Sequence, residues 1–442
     1  MKTEEGLVRA VGVRGLTAAI INYTIGAGIF VLPAVVAGKV GNAAPIVYLI
    51  CAIAMGLIVL CFAEAGSRVS LSGGTYAYAE LAFGPYIGFI VAICLWFGGS
   101  VLASAAVANV FVDALAQLSP LFSGSAVRML VILMTYAVLA FINIRGVKTA
   151  SGVVQTVTAG KLVPLVVLVV LGGFAIHGSN LTWTGMPPMT DLARTSVLLI
   201  FAFLGVESAL TPSGEVTNPV TTVPRSIFAA LIITTLLYIG IQIVSQGVLG
   251  SELATNTKAP LAEVASRAFG NGGRLLILVG AAISTFGYLA GDMLAAPRAL
   301  YALGRDGLMP APIALIHPRF ASPYVAIIVH AVLCAIFAVS GSFTSLLVLT
   351  VLSVLIVYLI CCLAAIQLRR KNIRTEGTLP FKVPGGPVIP ILASAVIVWL
   401  MSSSTRQEFI AISVMLAVAT LIYFAMRLTR SQPPTVSAGN AT

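Results

Sequence analysis

Thr24-Ile25-Gly26-Ala27-Gly28-Ile29 sits in the middle of an apolar run, residues 13–37. That run is long enough to cross a membrane, which takes roughly 20 residues. Two glycines stand one residue apart where a spanning helix should be most regular. Each costs about 1 kcal/mol of helix propensity against alanine. Glycine also lets the backbone leave helical geometry and lets a ligand approach it closely. Unwound backbone is tolerated inside a bilayer only where protein or a water-filled cavity satisfies it. The stretch therefore predicts a broken membrane helix with something polar bound at the break.

The rest of the chain fits that reading. It is 59% hydrophobic and 9% charged, whereas a soluble protein carries about 25% charge. The mean hydropathy of +1.05 agrees. The pattern predicts an all-α polytopic membrane protein with about twelve spans. They fall near 13–37, 44–67, 86–114, 126–144, 153–177, 193–213, 226–249, 272–302, 323–340, 343–368, 388–404 and 407–427. Residues 1–12 precede the spans, and 428–442 form a polar tail expected to be disordered. Residues 72–84 read as a glycine-rich loop, and 259–270 as a short interfacial helix opened by Pro260.

The net charge of +11 does not point to nucleic acid. With the N-terminus inside, seventeen Lys and Arg fall on the inner side and seven on the outer, with Lys161 within a span. By the positive-inside rule both termini are cytoplasmic, and the expected location is a plasma (inner) membrane. No P-loop pattern occurs, which argues against an ATP-driven pump. The six cysteines match no disulfide or metal spacing and read as apolar packing. His177, His317 and His330 lie apart, His330 reading as a packing histidine. Hence neither an enzyme, a metal site nor a cofactor is expected.

A second interruption lies in the sixth span, Phe201-Ala202-Phe203-Leu204-Gly205-Val206-Glu207. Broken helices in corresponding positions of two halves point to inverted repeats with substrate at their interface. Here the chain resembles the amino acid–polyamine–organocation superfamily of transporters. The resemblance rests on Gly26-Ala27-Gly28-Ile29-Phe30 with Pro33 and on the span-6 stretch. Gly214-Glu215-Val216-Thr217-Asn218-Pro219 with Val223-Pro224-Arg225, and Arg305-Asp306-Gly307-Leu308-Met309-Pro310, add to it. It implies a five-plus-five inverted repeat of the LeuT type, with repeats at 13–177 and 193–370 and two further helices at 388–427. It also implies alternating-access transport of amino acids or related amines, with proton symport preferred to exchange.

At the first break, the N–H groups of Gly26, Ala27 and Gly28 suit an α-carboxylate, because the following half-helix presents its positive end. The unwinding follows Ile25, and the carbonyls freed at Thr24, Phe201 and Leu204 suit an α-ammonium; the resemblance implies the same substrate-binding roles for these positions. It makes Phe201 the outer gate, with Phe203 the alternative. Lys161 lies within span 5, where a cation is disfavoured by about 2.5–3.5 kcal/mol unless it has a partner. It either snorkels to the surface or, as in family members with a lysine here, replaces a sodium ion. In the second case it bridges the span-1 break and span 8, through Ser284 and Thr285, and can exchange protons. Glu207 is either a proton carrier or a structural acceptor. Asp292, mid-span in Gly287–Met293, departs from family members that have an aromatic there. It is a candidate for the substrate's side chain or for the proton path. Glu64 and Arg68, four apart, read as a helix ion pair.

Overall fold

The computed structural model describes residues 12–69, 74–145, 161–183, 185–205, 216–373 and 380–429. Glu207, the loop residues 70–73 and residues 153–160 of the fifth expected span lie outside them. Among the described residues the fold is helical, without β-strands. Seven helical stretches are long and apolar enough to cross a membrane, and three shorter apolar helices, Leu162–Ala175, Tyr324–Ser340 and Val388–Ser402, accompany them. Phe174, Ile53, Leu236 and Leu421 stand on the surface. An apolar exterior of that extent belongs in lipid. The chain is a multi-pass membrane protein.

The helices fall on the expected stretches. They are α1 (Val13–Thr24), α2 (Gly28–Val40), α3 (Ala44–Arg68), α4 (Thr75–Phe83) and α5 (Pro85–Leu118). Then come α6 (Ser125–Arg145), α7 (Leu162–Gly172), α8 (Met189–Ile200) and α9 (Pro219–Leu249). The last are α10 (Pro260–Arg305), α11 (Tyr324–Ser340), α12 (Phe343–Arg370), α13 (Val388–Ser402) and α14 (Arg406–Thr429). The expected interfacial helix is the first part of α10, set off by Gly270 at φ 72°. The expected loop at 72–84 is instead largely helix: α4 starts after Gly74 (φ 49°), ends at Gly84 (φ 93°) and buries Tyr78 and Ala79. It packs on α12, and that tertiary burial overrides the glycine signal. α12 is buried along nearly all its length and contacts α3, α4, α5 and α13, as expected of a helix apolar all round.

Both predicted breaks are present. α1 ends at Thr24, Ile25 is extended (φ −79°, ψ 91°), and α2 restarts at Gly28. α8 ends at Ile200, Phe201–Phe203 form a 3₁₀ turn, and Leu204 is extended (φ −67°, ψ 154°). Gly205 follows at φ 123°. The two breaks touch. A Cβ on Gly205 would lie 2.8 Å from the Tyr23 carbonyl carbon, and one on Gly28 would lie 3.3 Å from the Ala202 Cα.

α9 runs beside the broken first span and carries its polar contacts. The Tyr238 hydroxyl, fully buried, shares its proton between Ala202 O (2.9 Å) and Thr24 O (3.2 Å), one carbonyl from each break. One turn on, Gln242 donates to Pro33 O (3.3 Å) and accepts from the Tyr48 hydroxyl (3.1 Å). A further turn on, Gln246 donates to Gly41 O (2.7 Å). Residues four apart share a helix face, so these three make a polar stripe along the first span.

One end of the bundle is tied by charge. Glu64 is fully buried and accepts from Arg68 (3.0 Å), from the Val383 N–H (3.0 Å) and from both Arg369 Nε (2.9 Å) and Arg369 Nη2. The expected Glu64–Arg68 pair is thus part of a larger knot joining α3, α12 and the segment before α13.

Two stability predictions follow from these contacts. Tyr238→Phe leaves two buried carbonyls short of a donor and should cost about 1–3 kcal/mol in a detergent melt; Gly205→Ala should be worse, since it adds backbone clash to an unfavourable φ. Tyr238→Phe melting like wild type would exclude the clamp. Glu64→Ala should cost about 3–5 kcal/mol, the scale of breaking a buried ion pair. Arg267→Ala, in the exposed 2.8 Å pair with Glu252, should change the melt little. Equal effects would show that the knot is not structural.

Candidate functional site

The site forms where the two breaks meet the face of α10. α2 begins without a side-chain cap and with no acid in its first turn, so its positive end is not answered by its own residues. Gly26 and Gly28 differ in their surroundings. A Cβ on Gly28 would press on Phe201 Cδ1 at 3.1 Å, whereas one on Gly26 would meet only Tyr288 Cδ2, at 3.9 Å. Gly28 is therefore required by packing between the breaks, and Gly26 faces room beside Tyr288.

The carbonyls expected to hold an ammonium are partly engaged. Thr24 O accepts from Tyr238, and Phe201 O accepts from the Leu204 N–H at 3.4 Å. A carbonyl has two lone pairs, so each keeps one. The two aromatic candidates separate clearly. Phe203 is buried edge-on against Tyr238, ring centroids 5.4 Å apart. Phe201 lies edge-on to Phe343 of α12 at 6.2 Å and 87°, at the margin of the buried region.

Lys161 is 7% exposed and stands at the start of α7. Its ammonium donates to Asn22 O, in the last turn of α1. α7 packs on α10, where Gly280 admits Pro164; a Cβ there would lie 2.6 Å from the proline ring. Of the two expected oxygen partners, Thr285 is committed to its own helix, donating to Ala281 O at 2.7 Å. Ser284 Oγ is buried without a partner among the described residues, as are Asn22 Oδ1 and Thr24 Oγ1.

Asp292 is not a lone carboxylate. One oxygen accepts from Ser100, and the other lies 3.0 Å from His330 Nε2. His330 Nε2 is in turn 3.4 Å from Cys334 Sγ. Ser100 belongs to a π-helical stretch of α5, Cys94–Leu102. That stretch lies so close to α12 that a Cβ on Gly98 would overlap Ser353. Wide turns of this kind recur at functional sites. His330 and Cys334, expected as packing residues, are fully buried, and they also lie with Asp292 in one polar cluster. Their four-residue spacing was visible in the sequence, but the third member lies 38 residues away. Tyr23, beside the span-1 break, is 40% exposed.

A polar recess of about 270 Å³ opens between α5 and the start of α10, lined by Gln117, Asn256, Lys258, Glu263 and Arg274. An apolar cleft adjoins it, reaching Phe30 and Val31 of α2 and Ala281 of α10.

Comparison with known proteins agrees with this arrangement. Residues 11–426 match the family model "Amino acid permease". The methylthioribose transporter of Bacillus subtilis (strain 168) is 26% identical over 95% of this chain and 94% of its own length. The serine/threonine exchanger SteT of the same organism is 28% identical over 97% and 99%. The L-lysine transport protein of Corynebacterium glutamicum is 31% identical over 75% and 68%. A membrane-spanning helical chain with two touching helix breaks, matched over nearly all its length, belongs to the amino acid permease family.

Proposed function

We propose that the chain is a secondary active amino acid transporter working by alternating access, with uptake coupled to protons. The carrying observation is the contact of the two breaks, Gly205 on Tyr23 and Gly28 on Ala202, with Lys161 bonded to the carbonyl of Asn22 beside them. The substrate's carboxylate sits on the Gly26–Gly28 amides at the start of α2, and its ammonium takes the remaining lone pairs of Thr24, Phe201 and Leu204. Phe201 closes over it. Lys161 replaces a metal cation, and its proton is the coupling ion. Glu207 joins this path as a second carrier.

The architecture in this reading is twelve spans. Residues 13–177 and 193–370 form inverted repeats, 388–427 add two helices, and both termini are cytoplasmic at a plasma membrane. α9 lies parallel to α1 and α2: Ser226 meets Val13, Tyr238 meets Thr24 and Gln246 meets Gly41. Spans 1 and 7 must run in one direction if every span crosses once, which supports the count. Asp292 has both oxygens engaged, which makes it a weak counter-ion for a cationic side chain. Recognition then rests on the amino and carboxyl groups. Amino acid exchange is the second reading, favoured by the likeness to an exchanger over almost the whole chain.

Uptake into proteoliposomes, with and without an imposed pH gradient, tests the coupling. Gradient-driven accumulation is expected; rapid exchange against internal substrate without accumulation would establish the exchanger instead. Lys161→Ala should lower gradient-driven uptake about tenfold or more, the scale of one charge-assisted hydrogen bond; wild-type uptake would remove its coupling role. Gly26→Val should abolish substrate-induced thermal stabilisation while the protein still melts cooperatively. Stabilisation equal to wild type would place the carboxylate elsewhere.

A further inference from the structure

We propose that Asp292, His330 and Cys334 form a binding site for one divalent transition-metal ion of borderline softness, with Zn²⁺ as the type ion. The three side chains offer an oxygen, a nitrogen and a sulfur, and these atoms all lie within 4.8 Å of one another. Zn–N and Zn–O bonds of about 2.0–2.1 Å and a Zn–S bond of about 2.3 Å, at tetrahedral angles, require ligand–ligand edges of roughly 3.3–3.6 Å. The edges from His330 Nε2 are 3.0 Å to Asp292 Oδ2 and 3.4 Å to Cys334 Sγ. Small side-chain shifts complete the geometry.

The site is built rather than incidental. His330 and Cys334 lie one turn apart on α11 and are fully buried. Ser100 donates to the Asp292 oxygen that faces away from the imidazole, which orients the carboxylate as an outer-shell partner of a metal ligand does. His330 Nδ1 is buried without a partner among the described residues, so the orienting partner in this cluster is Ser100 on the carboxylate rather than an acceptor on the imidazole. No other group of three metal-donor side chains occurs among the described residues.

Charge balance favours a divalent ion. Binding forms three metal–ligand bonds, releases the thiol proton of Cys334 to solvent and moves the ring proton of His330 to Nδ1. A dication with one carboxylate, one thiolate and one neutral imidazole has no net charge, and a neutral assembly is the cheapest to bury. Thiolate and imidazole select Zn²⁺ and its neighbours over Mg²⁺ and Ca²⁺. Asp292 keeps 10% side-chain exposure while His330 has none. The ion therefore enters past the carboxylate, and a water can take the fourth position.

The test is a titration of the purified full-length chain in detergent with Cd²⁺, whose bond to a thiolate gives an ultraviolet charge-transfer band. One Cd²⁺ per chain is expected, displaced by Zn²⁺ and not by Mg²⁺. Cys334→Ser should lose the band, His330→Ala and Asp292→Asn should weaken binding by at least about tenfold, and Ser100→Ala by about 10–100-fold. Zn²⁺ should also raise the melting temperature of wild type but not of His330→Ala. A folded wild type with no band and no Zn²⁺ stabilisation would overturn the proposal. So would an equal band in Cys334→Ser, since five other cysteines are present. These readouts do not involve transport, so they stand or fall separately from the coupling mechanism.

Discussion

The structure depends on the hydroxyl of Tyr238. A helix that unwinds inside a membrane exposes carbonyls that water cannot reach, and each must find a donor within the protein. Two helices unwind here, side by side, and one buried proton serves Thr24 O of the first and Ala202 O of the second. The same contact sets the geometry of both breaks together, so neither can be adjusted alone. Gly205 is the complement: any side chain there would collide with Tyr23, and the backbone must hold φ at 123°. Hydrogen bond and glycine thus specify one meeting point from opposite sides.

α9 extends that logic. Its stripe of Tyr238, Gln242 and Gln246 spends amphipathic side chains on the first span instead of on solvent. The result is a rigid pairing of α9 with α1 and α2. The breaks that hold the proposed substrate are therefore backed by a helix whose contacts with the first span, through Tyr238, Gln242 and Gln246, are neutral hydrogen bonds. Charged groups tie the bundle elsewhere, in the Glu64–Arg68–Arg369 knot at one end and in the Arg194–Glu408 pair (2.6 Å) that joins α8 to α14.

Much of this was legible in the sequence. The breaks were readable because glycine inside an apolar run has a local physical meaning, and the helices because apolar length alone defines them. Phe201 and Lys161 stood out by position and by charge. What was hidden was pairing. Tyr238 reads as one aromatic among many until the carbonyls it serves are located, and Gln242 and Gln246 read as tolerated polar residues. Asp292 was noticed, but its partners come from two other helices, and an i, i+4 histidine and cysteine on an apolar helix look like packing. α4 was missed because glycines mark where a helix starts and stops as readily as they mark a loop.

The polar groups that find no partner complete the argument about Lys161. Most buried unsatisfied hydroxyls in this chain, such as Thr195, Ser245 and Thr350, lie within helices and can turn to their own helix carbonyls one turn back. Asn22 Oδ1 has no such option, because an amide oxygen only accepts. It lies beside the carbonyl that Lys161 already holds, with Thr24 Oγ1 on the same helix and Ser284 Oγ on the helix that packs against α7. α1 thus meets the start of α7 at Lys161, and α10 packs against α7. An ammonium brings three donors and no acceptor. Lys161 already gives one of them to Asn22 O at the end of α1, and losing a proton leaves it two donors and no charge. In the proposed transport cycle, that single protonation event would weaken the hold of Lys161 on the break of the first span.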